Sequence, residues 1–165
     1  MEKLVELAKE LGMVNALLIN SSAVFFDIRA ILKCRWGCEK YSGQNSRCNA
    51  RGTSFEECIA IVNQYKNILI VHSHDAHELS KALLELERIA FLDGHYFASA
   101  LRNCHACKVC ADAKGKDCPT PLKIRPCETA FGIDVYKTAR TLGLPCHPLQ
   151  DKEDEQNRYG FLLID

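Results

Sequence analysis

Apolar residues recur along this chain in two periods, and the change from one to the other marks out its elements. Leu4, Leu7, Ala8 and Leu11 follow helical spacing through MEKLVELAKELG, and Gly12 ends that segment. Ala16–Ile19 (ALLI) and Ala23–Ile28 (AVFFDI) are short apolar runs that predict strands. Thr53 or Ser54 caps a helix, with Glu57 as the capping-box partner of Ser54. That helix leads into NILIVHS (Asn67–Ser73), which reads as a strand buried on both faces. Asp75–Leu92 is the longest amphipathic helix, with Leu79, Leu83, Leu86 and Ala90 on one face.

A strand is expected at His95–Leu101. Pro126 then opens a helix that runs through Ala130, Ile133, Lys137 and Ala139 to Leu142 and stops at Gly143. The acidic stretch DKEDEQ reads as a solvated loop, and YGFLLI as a last strand. Helices alternating with short apolar strands predict an α/β fold: one domain over residues 1–165, with a small, mostly parallel or mixed sheet of about four strands covered by helices. The remaining segments are cysteine-rich loops.

Composition changes the picture only through the cysteines. A chain of 165 residues buries a sizeable core without covalent staples, so its ten cysteines need another explanation. Lys+Arg and Asp+Glu are equal at 21 each, which gives no reason to expect nucleic acid or an anionic membrane as partner. No apolar run approaches the length of a membrane span, and the first residues lack the apolar stretch of a signal peptide. The expected location is cytoplasmic, where thiols stay reduced and clustered cysteines point to metal.

The stretch RNCHACKVCADAKGKDCPTP sets Cys104, Cys107, Cys110 and Cys118 at C-x2-C-x2-C-x7-C, with Pro119 after the last. Zinc sites take pairs of ligands from two knuckles, whereas an iron–sulfur cubane accepts successive thiolates from one loop on different irons. Bacterial ferredoxin loops share the opening spacing and the final Cys-Pro, with a shorter last gap. The spacing therefore points to a [4Fe-4S] cluster, with zinc as the alternative. Six cations between Arg102 and Arg125 face only Asp112 and Asp117, a balance suited to an anionic cluster. Arg102 and Arg125 flank the loop as its candidate supporting cations, and His105 lies where it would tune the cluster rather than bind it. The helix expected from Pro126 would add its N-terminal dipole.

An earlier set, Cys34-x3-Cys38-x9-Cys48, lies in a stretch rich in Gly, Ser and Asn and predicts a second metal site. Its fourth ligand is open. Cys58 falls on the stripe Phe55, Cys58, Ile59, Val62 and reads as a core thiol. Cys127, at the start of the expected helix, is a candidate ligand; Cys118, crossing over as the Cys-Pro cysteine does in two-cluster ferredoxins, and an open iron are the other solutions, and Cys146 reads as a loop thiol. Arg35, Arg47 and Arg51 would draw a small anionic ligand to such an iron. In VHSHDAH, Ser73 or Asp75 reads as a helix cap and the three histidines as exposed.

The motifs CRWGCEKY…C, CHACKVC…CP and RPCETAFGIDV followed by TLGLP resemble a prokaryotic family known as predicted metal-binding proteins of unknown function. The resemblance spans roughly Arg29 to Pro145 and implies metal ligation by Cys34, Cys38, Cys48, Cys104, Cys107, Cys110 and Cys118. Two positions depart from the family pattern. Cys48-Asn49-Ala50 stands where Cys-Pro-Pro is usual, and Cys127 stands where serine is common. The expected role is one-electron redox chemistry with a redox partner protein. An enzyme using an open iron in sulfur transfer or desulfuration is the alternative, and a structural zinc protein the second alternative.

Overall fold

Six consecutive residues of one strand are buried on both faces, and the other elements are arranged around it. This strand, β2 (Ile68–Ser73), lies in a four-stranded sheet with β1 (Asn15–Ile19), β3 (Ser99–Leu101) and β4 (Arg158–Leu163), in the order β1-β2-β4-β3. The computed structural model describes residues 1–38, 52–107, 109–111, 116–151 and 153–165. Its helices among these are α1 (Glu2–Glu10), α2 (Arg29–Gly37), α3 (Phe55–Asn63), α4 (Ala76–Leu92) and α5 (Val135–Thr141). None of them is long and apolar enough to cross a membrane.

The period-2 alternation of the central strands divides the core. Leu69, Val71, Leu162 and Ile164 face α1 and α4, where they meet Leu4, Ala8, Leu79, Leu83 and Leu86. Ile68, Ile70, Phe161 and Leu163 face the other way, onto Cys58 and Val62 of α3, Phe131, Ile133 and Ala139. Helices therefore cover both faces of the sheet, as the alternation of helix and strand in the sequence predicts. All three strand pairings are antiparallel, however, and this corrects the expectation of a parallel or mixed sheet. The reason is topological. β2 and β3 do run in the same direction across the α4 crossover, but β4 is inserted between them and opposes both.

Local hydrogen bonding explains the remaining differences from the sequence reading. Ala23–Ile28 is not a strand. The Asn20 side chain accepts from Ser22 N and caps a short 3-10 turn, Ser21–Ala23. Phe25 N then donates to Thr138 Oγ1 at 3.0 Å and Asp27 N to Gly132 O at 2.8 Å, which leaves one isolated bridge between Phe26 and Ile133. The helix expected from Pro126 is broken at Gly132, whose φ of +76° suits glycine alone; a Cβ there would also run into the Phe55 ring. Asp134 then caps α5 by accepting from Lys137 N. β3 is shortened to three residues because Gly94 to Ala98 is held in turns. The capping box of Ser54 and Glu57 is present as expected.

Where β2 gives way to α4, Asp75 is the helix cap and accepts from His77 N and Glu78 N. His72 is buried, which corrects the expectation of exposed histidines. Its ring stacks on Tyr159 at 4.7 Å; Nε2 lies 2.9 Å from Asn157 Oδ1 and Nδ1 3.4 Å from the Asn15 side-chain amide. These partners suit a neutral ring with its proton on Nε2. Burial is the largest influence on this ring and holds its pKa below the ordinary value of 6.5, against the opposing hydrogen bond to Asn157. The unfolded chain therefore takes up a proton before the native one does. Stability should be full above about pH 6.5 and fall as the pH drops below it. Urea titrations at pH 8 and pH 5.5 should show this loss, and His72→Phe should reduce the difference between the two.

Candidate metal centre

The loop carrying Cys104, Cys107, Cys110 and Cys118 is tied at its base. Arg102 N donates to Pro126 O at 2.9 Å, so the chain entering the loop is bonded to the chain leaving it. Arg102 Nη1 donates to Glu128 Oε1 at 3.0 Å and to Tyr159 O at 3.3 Å. The second carboxylate oxygen of Glu128 accepts from Asn103 N at 3.1 Å. Both side chains of this ion pair are about nine-tenths buried (9% and 7% exposed), so each is the other's main electrostatic compensation. Gly160 makes the arrangement possible. A Cβ at that position would lie 3.2 Å from Arg102 Cδ and collide with Leu83.

The first residues of the loop also dock onto α4. Ser80 Oγ donates to Ala76 O and accepts from His105 N at 3.3 Å. His77 Nδ1 lies 2.6 Å from His105 O, and His105 Nδ1 lies 2.9 Å from Asn103 O; since carbonyl oxygens only accept, both rings carry a proton on Nδ1. On the far side, Arg125 forms a bidentate pair with Glu87 and donates to Leu122 O and Ile124 O. The paired Glu87 carboxylate is the main reason the Arg125 guanidinium holds its proton more firmly than usual. Glu87 Oε2 also accepts from Ala100 N at 2.7 Å. Arg102 and Arg125 thus flank the loop as the sequence suggests, with each charge matched by a carboxylate that the sequence reading did not identify.

Cys104, Cys110 and Cys118 are half-buried and Cys107 is exposed, and none of the described cysteines is in a disulfide. Cys34 lies in the last turns of α2 and Cys38 directly follows that helix, so the x3 spacing places them one helical turn apart rather than on an open loop. Cys48, Arg47 and Arg51 lie outside the described residues. Cys58 is in the core, 1% exposed. Cys146 is half-buried, and burial raises its thiol pKa.

Cys127 does not begin a long helix. It opens a single turn, closed by Phe131 N donating to Cys127 O at 3.1 Å. Burial, with Glu128 adding to it, pushes its thiol far above the ordinary range, against the pull of hydrogen bonds from Ala130 and Thr129. The Arg102–Pro126 hydrogen bond sets Cys104 and Cys127 on either side of one backbone crossing. Cys127 is thus attached to the base of the four-cysteine loop.

In chemical kind the donor set suits a thiolate-bound metal: four cysteines lie on a single loop whose ends are held together. Among the described residues, no three Cys, His, Asp or Glu side chains are gathered closely enough to hold an ion. Lys108 and residues 112–115, inside the loop, are not among those described. Sequence reasoning read His77 as an exposed histidine and missed Glu87, Glu128, Ser80 and Gly160. Of these only Glu128 had a signal, a carboxylate inside the apolar stretch RPCETAFGI.

The sequence model of one family, described as "Predicted metal-binding protein (DUF2284)", matches residues 17–164. No curated protein and no solved structure matches the chain.

The tie at the loop base can be tested apart from any metal. Glu128→Gln leaves the buried Arg102 guanidinium without its counter-charge and should cost about 3 kcal/mol, read from urea unfolding. The double variant Arg102→Met, Glu128→Gln should recover part of that loss, because it removes the uncompensated charge.

Proposed function

This chain belongs to the family of predicted metal-binding proteins DUF2284, and from that premise we propose that Cys104, Cys107, Cys110 and Cys118 hold a [4Fe-4S] cluster used in one-electron redox chemistry. The observation that carries the reading is the tied loop. Four thiols within fifteen residues belong to one closed segment, anchored by a buried ion pair on one side and by Arg125–Glu87 on the other. Bound there, such a cluster supplies reversible transfer of single electrons.

The chain's own contribution is to hold the base of the loop rigid and leave its thiols to close on the metal. Metal sites of this kind couple ligand binding to local ordering, since four thiolates repel one another until a cation is among them. His105 is held against α4 through its backbone, and its ring bonds back to Asn103 O, so it contributes position and local polarity. Val109, two residues from the exposed Cys107, is itself an exposed large apolar residue and suits transient docking of a redox partner protein. Cys34 and Cys38, one turn apart at the end of α2, are the basis for a second centre in the same proposal. Arg35, exposed beside them, suits a small anionic ligand there.

Purification without oxygen, followed by iron, acid-labile sulfide and zinc analysis, decides the metal. The expected result is brown protein containing iron and sulfide in equal amounts. Stoichiometric zinc with no sulfide would replace the redox reading with a structural one. Cys107→Ala should lose the metal of this loop. Cys58→Ala should keep it and cost about 1 kcal/mol in packing, because only a small buried group is removed. Equal metal loss in the two variants would contradict the assignment of ligands.

A further inference from the structure

A second guanidinium, half-buried, stands beside Arg102, and the tied loop does not account for it. Arg158 opens β4 in register with Ser73, the last residue of β2. Leu162 and Ile164 of the same strand face α4, and a Cβ on Gly160 would meet Leu83 of α4, so the alternation places Arg158 on the α4 face as well. Arg102 follows β3 and lies on that face too, against Gly160. Both guanidiniums are thus at the end of the sheet where α4 begins, a location already made positive by the helix dipole.

Compensation there is incomplete. Glu128 pairs with Arg102, and Glu155 is 3.4 Å from His74. Asp75, whose charge acts on Arg158, accepts the two amide hydrogens that cap α4. Among the described residues, Arg158 makes no ion pair; its Nη2 donates to the Gln156 side chain, and its Nε is buried with no partner. The Nε of Arg102 is buried and unpartnered in the same way. Burial is the main influence that makes the Arg158 guanidinium easier to deprotonate than usual, and the neighbouring Arg102 adds to it. Two neighbouring guanidiniums, each with a buried Nε that no protein acceptor meets, call for an acceptor from outside the chain.

We infer that Arg102 and Arg158 form a binding site for a small oxoanion, a carboxylate or a tetrahedral anion, at the end of the sheet beside the tied base of the cysteine loop. A guanidinium presents N–H groups in a planar fork that matches two oxygens of such a group, and two forks at a helix N-terminus add charge to that fit. The inference does not depend on the identity of the metal, or on there being one.

The test uses the full chain, with inorganic phosphate, sulfate and acetate as probes, each exchanged for chloride at constant ionic strength. Thermal unfolding should show saturable stabilisation by at least one of the three, and a preference for phosphate or acetate separates the tetrahedral from the carboxylate source. Arg158→Gln should weaken that response at least tenfold, while Lys3→Gln, beside Asp93 at the opposite end of α4, should not change it. Arg158→Lys keeps the charge without the fork and should respond weakly; it serves as the second variant if Arg158→Gln does not fold. No saturable response in the wild-type chain, or an equal response in Arg158→Gln, would overturn the inference. So would loss of metal from Arg158→Gln together with the anion response, since the guanidinium would then be serving the metal centre. Anion binding by a chain found to contain no metal would sink the redox reading and leave this one standing.

Discussion

The buried pair between Arg102 and Glu128 is the constraint on which the cysteine-rich end of this protein depends. It joins the last residue of one chain segment to the first turn of another, and it uses both carboxylate oxygens to do so. Such a pair contributes little net stability, because desolvating the two ions offsets most of their attraction. Its contribution is specificity of position. With Arg102 held by Glu128 and Tyr159 O, and with Gly160 leaving room for its stem, the segment after β3 leaves the sheet in one direction only.

The sheet determines where that direction leads. Inserting β4 between β2 and β3 brings the start of β4, the end of β3 and the start of α4 to the same end of the sheet. Ser80 and His77 project from the first turns of α4 towards the loop, and Arg158 comes from the neighbouring strand. A parallel sheet with β2 beside β3 would bring the same loop out of β3 but would place no β4 residue between it and α4. The cation beside the loop is therefore a product of strand order.

Much of this was legible in the sequence, and what was missed has a common physical character. The strands from Ile68 and Arg158, the helix from Ala76 and the capping box at Ser54 all rest on local periodicity or local hydrogen bonds, which a sequence displays directly. Cys58 was assigned to the core from one helical stripe, and it is there. The stretch Ala23–Ile28 has strand-like composition, but its hydrogen bonds go to residues more than a hundred positions away, Gly132 and Thr138. Pairing of this kind leaves no local trace. The same holds for Glu87 and Glu128, each of which neutralises an arginine that looked unopposed in the linear charge count. Cations in one window of sequence are a poor guide to local field when their partners arrive from another element.

Tying the ends of the cysteine loop together has an effect on how its interior can vary. The closure entropy of a flexible segment grows only with the logarithm of its length, so doubling the segment costs about 0.6 kcal/mol. Once Arg102 and Pro126 are bonded, residues added or removed between Cys110 and Cys118 leave the sheet, α4 and the ion pair where they are. The long x7 gap is then a cheap variable. The spacing of the cysteines can drift in this protein while the rest of the fold is left unchanged.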